Sequence, residues 1–367
     1  MSDVFFADLK TTHEMNLFKK LERLLYKIDL ISIIEKDDLV AIKLHFGERG
    51  NTSYVQPIYL RKIVDRIKEF GGKPFLTDTN TLYVGSRGDA VSHLKTAIEN
   101  GFAYSVVNAP LIIADGLRGR SFKMVRIDKK WYKEVDIAEE IYNADALIAV
   151  THFKCHELSG IGGTIKNLGM GCASIQGKLN QHSTVSPYVD QERCTGCGRG
   201  QKWCGYKAIV IEDKKERIIP DICVGCGECI HICPTGAIRI RWDASTMSVQ
   251  EKMAEHTIGA LQNKGGKYAF ITFITQISPA CDCYPSNDIP IVRDVGILAS
   301  RDPIAIDQAS ADLVNNQIGN RDSNLTCNYE SGEDKFRGVY PHIDWTIQLS
   351  YGESLGLGSR GYKLIKI

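Results

Sequence analysis

The sequence predicts an α/β protein, a mainly parallel sheet with helices on both faces, interrupted by one small cysteine-rich unit. Three observations carry this. β-rich runs alternate with amphipathic helical stretches on both sides of residues 186–243, cysteines cluster at fixed spacing inside that interval, and 367 residues suffice for a sizeable core. Lys plus Arg, 45, balances Asp plus Glu, 44, so bulk charge argues against nucleic acid or an acidic membrane surface as a partner. The segment MSDVFFADLK lacks a basic n-region and an apolar h-region, and no apolar run approaches a bilayer span. A soluble, cytoplasmic protein is expected, with its oligomeric state open. Twelve cysteines fit a reducing, anaerobic cytoplasm better than a disulfide scaffold.

Taken in order, strands are expected at 39–46, 74–78, 105–107 and 146–151, with helices at 13–28, 56–70, 89–100 and 135–143. Beyond the cysteines come a helix at 248–263, strands at 267–275 and 295–299, and a helix at 303–316. Asp302 before Pro303 reads as an N-cap with proline at the first helical position. Because βα alternation resumes after Ile240, the chain divides into 1–185, the first part of an α/β domain, 186–243, the inserted unit, and 244–367, the second part. The polar stretch 176–191, with Pro187, is the expected boundary.

Cys223, Cys226, Cys229 and Cys233, followed by Pro234, have the C-x2-C-x2-C-x3-C-P spacing by which bacterial-type ferredoxins hold 4Fe–4S cubanes. An earlier copy keeps Cys194, Cys197 and Cys204 but has Gly200 in the third place. Residues 193–211 align with 222–240 without a gap, the internal repeat of a small α+β ferredoxin-like two-cluster domain. In that fold the last cysteine of each copy crosses to the other cluster. One 4Fe–4S set, Cys223, Cys226, Cys229 and Cys204, is then complete. The other, Cys194, Cys197 and Cys233, lacks a thiolate: it is a 3Fe–4S cluster, a 4Fe–4S cluster with an open or non-standard corner, or a site no longer filled. The full pattern outweighs a pair of zinc knuckles.

Residues 151–172, THFKCHELSGIGGTIKNLGMGC, begin where a strand should end. His152, Lys154 and His156 are expected to face one way, followed by Lys166 and Asn167. In open α/β sheets ligands bind at the carboxyl ends of strands, and a Gly-rich turn into a helix offers amides to an anion. The stretch is neither a Walker A motif nor a dinucleotide fingerprint. His152, Lys154, His156 and Lys166 are therefore candidate catalytic groups, and Gly162, Gly163, Asn167, His45 and Asp78 candidate binding groups. The competing reading is that the glycines only permit tight packing and the histidines cap a strand. Lys43, Glu48, Arg49, Asn51, Thr79 and Asn80 follow the first strands and fall near the same place. Cys281 and Cys283, in PACDCYP, fit no common cluster spacing; they reach the open iron, bind a further metal, or are buried thiols. Cys327 is expected to be buried.

The segments AIKLHFGERGNTSYVQPIYLRKIVD, GGKPFLTDTNTLYVGSR, THFKCHELSGIGGTIKNLGMGC, CDCYPSNDIPIVRDVGILASRDPIAIDQAS and SLGLGSRGYKL together resemble the domain-of-unknown-function 362 family of iron–sulfur-binding proteins of anaerobes. The resemblance implies an α/β domain coupled to a ferredoxin domain, a redox role and no settled reaction. Members commonly carry two complete cluster motifs, so Gly200, and Gly205 in place of proline, are departures. The interval from His156 through Gly162 and Gly163 to Lys166 is also similar to a stretch of the lactate racemase catalytic domain, in which a histidine transfers protons and a lysine carries a nickel-pincer nucleotide. That likeness concerns where a ligand sits and is no evidence for nickel.

Two functions are expected from these readings. In the first, an oxidoreductase takes electrons from a redox partner protein through the complete cluster, then the modified one, to a small-molecule substrate or cofactor at the 152–167 loop. The alternative is a ferredoxin-like electron carrier or adaptor whose α/β part only docks a partner. A third idea, that the open iron acts as a Lewis acid, requires a substrate route to the modified cluster.

Overall fold

The computed structural model describes residues 1–367 except 84, 183–185, 224–226 and 241–244. Cys226 and part of the expected linker thus lie outside the described residues. Eight strands form one sheet: β1 (Ser2–Asp8), β2 (Leu39–Lys43), β3 (Lys73–Asp78), β4 (Leu111–Ile113), β5 (Ala146–His152), β6 (Tyr268–Ile274), β7 (Gly296–Ser300) and β8 (Tyr362–Lys366). Their order is β8-β1-β7-β6-β5-β2-β3-β4. All neighbours are parallel except around β7, which runs antiparallel to β1 and β6.

The strand sequences read as continuous apolar runs because both faces are covered. In β5, Leu147 and Ala149 enter one core while Ala146, Ile148 and Val150 enter the other. Helices Leu17–Lys27 and Pro57–Glu69 cover the second core with Leu21, Leu24, Leu60 and Ile63. Helices Thr246–Leu261 and Pro303–Asn315 cover the first with Val249, Met253, Ala305 and Ala309. Asp302 caps the latter as expected, accepting from the amides of Ile304 and Ala305 at 2.9 Å each.

Four expectations change. Residues Tyr104–Val107 are a short helix, ended by Asn108 in the left-handed region, and the strand comes later at β4. The helix expected over 135–143 splits: Glu134–Ala138, whose apolar residues alternate, pairs with Phe122–Arg126, and only Glu139–Asn143 is helical. The expected linker begins as the helix Ile175–His182. β1 and β8 were not foreseen; β8 is a mostly exposed edge strand, and β1 has its partners at the other end of the chain.

The order of winding positions the site. From β2 the chain proceeds outward to β3 and β4, then returns to place β5 on the other side of β2. The connections leave β2 and β5 in opposite directions, and a crevice opens at their carboxyl ends.

Within 186–240, Tyr188–Val189 pairs with Ile238–Arg239 and Ile209–Glu212 with Lys215–Ile218, both antiparallel. The two halves are built alike. Gly198 (φ 72°) and Gly227 (φ 73°) start the short helices Arg199–Trp203 and Glu228–Ile232, and Cys204 and Cys233 end them. The left-handed backbone at both starts is one that glycine adopts without steric cost. Among the described residues, no helix is long and apolar enough to cross a membrane.

Candidate functional site

The crevice is a pocket whose wall includes Lys43, His45, Asp78, Tyr83, Arg87, His152, Lys154, Gly162, Gly163, Lys166, Asn167, Lys178, His182 and Cys283. Of the residues proposed from sequence, His152, Lys154, Lys166, Gly162, Gly163, Asn167, His45 and Asp78 meet here. His156 is buried next to this wall but does not line it.

The pocket is rich in basic side chains, several of them paired with buried acids. Lys43 pairs with Asp78 at 2.9 Å and also donates to Asn167 Oδ1 at 2.9 Å. Arg87, fully buried, pairs with Glu48 at 3.1 Å and approaches Asp78 at 3.7 Å. Burial would raise the Asp78 carboxyl, but Lys43, His45, His93 and Arg87 hold it well below the usual carboxylate range. Lys178 donates to Thr79 Oγ1 and the Asn80 carbonyl; burial lowers its pKa, opposed by Asp115 and Asp78. With Lys154 and Lys166, five basic side chains surround one lining carboxylate, an arrangement suited to a small anion.

Asp282, between the two cysteines of the CDC turn, organises the far wall. It accepts from Lys154 Nζ at 2.6 Å and faces His152 Nδ1 at 2.9 Å. Burial opposes its ionisation, yet His152 and Lys154 depress its pKa strongly. His152 Nε2 lies 2.8 Å from the Thr275 carbonyl. Both ring nitrogens therefore face oxygen atoms, so the ring is held in place rather than left open to a substrate. His156 differs: its Nδ1 accepts the amides of Leu158 and Ser159 at 3.2 and 3.3 Å, which puts a neutral ring's proton on Nε2. Burial, reinforced by Lys166, lowers its pKa well below the ordinary value.

Cys281 and Cys283 lie in this pocket region, away from Gly200, where the nearest groups are Glu216 and Ile238. The expectation that one of them completes the modified cluster does not match that placement. Lys166 Nζ donates to Cys281 Sγ at 3.0 Å. A hydrogen bond from Cys281 lowers the pKa of Cys283, burial opposes this, and Lys166 and His45 assist it, so the pair holds one thiolate charge. Cys281 is raised by that same bond and by burial. In turn, the charge on the two sulfurs overcomes burial and raises Lys166. Cys155 and Cys172 are buried, whereas Cys327 is exposed, contrary to expectation.

The Gly-rich turn does not present its amides to a ligand. Those of Thr164 and Ile165 are taken by Asp307 at 2.7 and 2.9 Å, and a Cβ on Gly163 would collide with that carboxylate. Gly162 instead makes room for the Lys154 and Lys166 stems. Asn167 Nδ2 donates to the Val150 carbonyl and Thr151 Oγ1, tying the short helix to β5. Arg49 turns outward to Glu99, while Asn51 donates to the carbonyls of Tyr284 and Ser286. Sequence reasoning gave no site role to Arg87 or Asp307, although both fall in segments that carry the family resemblance, nor to Lys178.

In the cysteine-rich segment, Cys204 Sγ accepts from the Ala208 amide and Cys233 Sγ from the Ala237 amide, both at 3.2 Å, while Cys194 Sγ accepts from the amides of Gly196 and Glu216 at 3.4 Å. Amides aimed at sulfur stabilise thiolates and suit cluster ligands. Cys204, Cys223 and Cys229 line one apolar hollow. No three His, Cys, Asp or Glu among the described residues converge as for a single metal ion; in a cubane each thiolate binds its own iron, so the sulfurs stand apart. Leu82 and Tyr83 join the two regions: both line the sheet pocket and pack in the apolar cluster that includes Cys204, Cys223, Cys229 and Cys233. A Cβ on Gly227 would touch Leu82 and Ile175, and Arg118 stacks on Trp203 at 4.6 Å.

Comparison with known proteins gives two kinds of likeness. Residues 40–312 match the family described as Domain of unknown function (DUF362). The chain is 30% identical over 83 residues to pyruvate synthase subunit PorD of Methanothermobacter marburgensis, covering 23% of this chain and 95% of that protein. It is 34% identical over 88 residues to indolepyruvate oxidoreductase subunit IorA of Pyrococcus horikoshii, covering 23% and 13%, and 32% identical over 65 residues to ferredoxin-3 of Nostoc sp., covering 12% and 67%. These matches fall at the cysteine-rich segment and support an iron–sulfur electron-transfer role. The lactate racemase apoprotein of Thermoanaerobacterium thermosaccharolyticum aligns at 13% identity and TM-score 0.36, over 75% of this chain and 51% of the racemase; the chain spans about half its length.

Proposed function

The chain belongs to the DUF362 family, and from that premise we propose that it passes electrons from iron–sulfur clusters in its cysteine-rich segment to a small anionic molecule in the sheet pocket. The observation carrying this reading is the shared wall of Leu82 and Tyr83, which line the pocket and sit in the apolar cluster that includes Cys204, Cys223, Cys229 and Cys233. Bound clusters supply single electrons. The chain's own residues do the rest: Lys43, Arg87, Lys154, Lys166 and Lys178 attract and orient the anion, and Lys166 and the Cys281–Cys283 pair hold protons beside it. A two-electron product needs such matched proton delivery.

We take the set containing Cys204, Cys223 and Cys229 as the inner relay, the reverse of the order expected from sequence, because the turn at Gly227 between its ligands lies against Leu82; Cys233 of the other set shares the same apolar cluster. Cys197, of the other set, is exposed and belongs on the side open to a redox partner protein. The relatives' names, subunits of a pyruvate synthase and an indolepyruvate oxidoreductase, accord with such a partner.

The test is anaerobic. Reconstituted, dithionite-reduced protein is mixed with 2-oxo acids, enoates and phosphate esters, and cluster absorbance is followed. Reoxidation by at least one of these anions, slowed in Lys154→Met, is the expected result. If none binds or reoxidises the clusters, the pocket reading fails in favour of a carrier or adaptor without chemistry of its own.

A further inference from the structure

Glu216 lies in the strand Lys215–Ile218 and is buried, 3% exposed. Its Oε1 accepts the amide of Gly200 at 3.0 Å, and its own amide points at Cys194 Sγ. A Cβ built on Gly200 would run into Glu216 Oε2 and Cδ. The carboxylate thus stands where the side chain of a cysteine at position 200 would begin. In the other half of the repeat, the matching position is Cys229.

A buried carboxylate needs a cation or several donors. Among the described residues, no Lys, Arg or His lies within ion-pairing distance of Glu216; the neighbouring Lys215 turns its Nζ to the carbonyls of Gln191 and Cys194. Its carboxylate stands at the one corner of the repeat that lacks a thiolate. Iron accepts carboxylate oxygen as well as thiolate sulfur, and glycine at 200 leaves the space the carboxylate uses.

We propose that Glu216 is the fourth ligand of the modified site, so that Cys194, Cys197, Cys233 and Glu216 together hold a 4Fe–4S cluster with one oxygen-ligated iron. The inference rests on the iron–sulfur reading above. Glu216 and Gly200 form one device, the side chain removed at one position being replaced by donation from another strand. The oxygen-held iron is the one most readily lost to chelators, because the other three are held by thiolates.

The experiment compares anaerobically reconstituted wild-type protein with Glu216→Gln and with Gly200→Cys/Glu216→Ala, which clears the space a cysteine at 200 needs, by iron and sulfide analysis, EPR and Mössbauer spectroscopy. The glutamine keeps an acceptor for the Gly200 amide but removes the anionic ligand, which separates ligation from structure. Expected are two 4Fe–4S clusters in the wild type, one 4Fe–4S and one 3Fe–4S cluster in the single variant, and a restored 4Fe–4S cluster in the double variant. Identical iron content and spectra in wild type and Glu216→Gln would overturn the ligand assignment alone. A 3Fe–4S cluster in the wild type under excess iron would do the same. A wild type that takes up no cluster would overturn the electron-transfer reading with it.

Discussion

Lys166 Nζ donates to Cys281 Sγ at 3.0 Å, and Cys281 donates in turn to Cys283. One ammonium and one shared thiolate charge thus face each other in a closed pocket, each shifting the other's ionisation. Because Cys283 is lowered, its thiolate persists below the usual thiol pKa of about 8.5. Iodoacetamide should therefore label Cys283 at mildly acidic pH, and Lys166→Met should slow that labelling about tenfold, the effect of one nearby charge. Mass spectrometry of the 279–286 peptide reads both; equal rates in the two proteins would separate Lys166 from the thiol pair.

Asp282 is the buried counter-charge of His152 and Lys154. Asp282→Asn should destabilise the protein by about 3–5 kcal/mol, since buried Lys154 loses its carboxylate and His152 a hydrogen-bond partner. Denaturant unfolding measures this, and a loss below about 1 kcal/mol would mean that solvent or another group compensates. Activity in surviving protein should fall as well, because the Lys154 head group is no longer fixed.

Burial pushes the Asp307 carboxyl up to about 6, despite the amides of Ile165 and Thr164 that favour its charge. The unfolded value is about 3.9. With the folded pKa raised, the stabilising contribution is fully present below pH about 4 and is lost as pH rises through about 6, a change of about 3 kcal/mol. Asp307→Asn removes this titration, so urea midpoints measured across that window should decline less with rising pH than in the wild type. Parallel curves would exclude Asp307 as the source.

Gly163→Ala should cost about 1–3 kcal/mol by driving a methyl into the Asp307 carboxylate. Gly205→Ala is its control: nothing lies within 4 Å of a Cβ there, and thermal melting should barely change. A tolerant Gly163 would imply that the short helix can shift away from Asp307.

Leu82→Ala opens a gap between the pocket and the cysteine cluster. Its side chain is buried, so a loss of about 2–5 kcal/mol is expected. Reoxidation of reduced clusters by a pocket acceptor should slow in rapid-mixing experiments while iron content stays constant. Unchanged rates would place the electron route elsewhere.

What the sequence disclosed follows from how local each signal is. β5 and β6 were legible because both faces are buried and most residues are apolar, and the Asp302–Pro303 cap because its partners are two and three residues away. The cysteine repeat was legible because chelation fixes spacing along the chain. Arg87, Asp307 and Glu216 were not, since each answers a charge or an amide far away in sequence: Arg87 faces Glu48, Asp307 heads the helix at Thr164, and Glu216 fills the gap at Gly200. The Gly-rich loop lines the pocket, but its amides were assigned to a ligand, because the carboxylate that occupies them arrives from residue 307. The short helix at Tyr104–Val107 carried strand-like residues, and its left-handed stop at Asn108 has no periodicity to read.

β1 finds both of its neighbours, β7 and β8, in the last stretch of the chain, with Val4 opposite Ser300 and Ser2 beside Tyr362. During synthesis β1 must therefore wait for nearly three hundred further residues before either of its edges is paired. Its short length and the flanking Asp3 and Asp8 limit stray pairing during that wait. The cysteine repeat, by contrast, pairs its strands within about fifty residues. Synthesis order then lets the repeat close early and makes β1 a late latch of the fold.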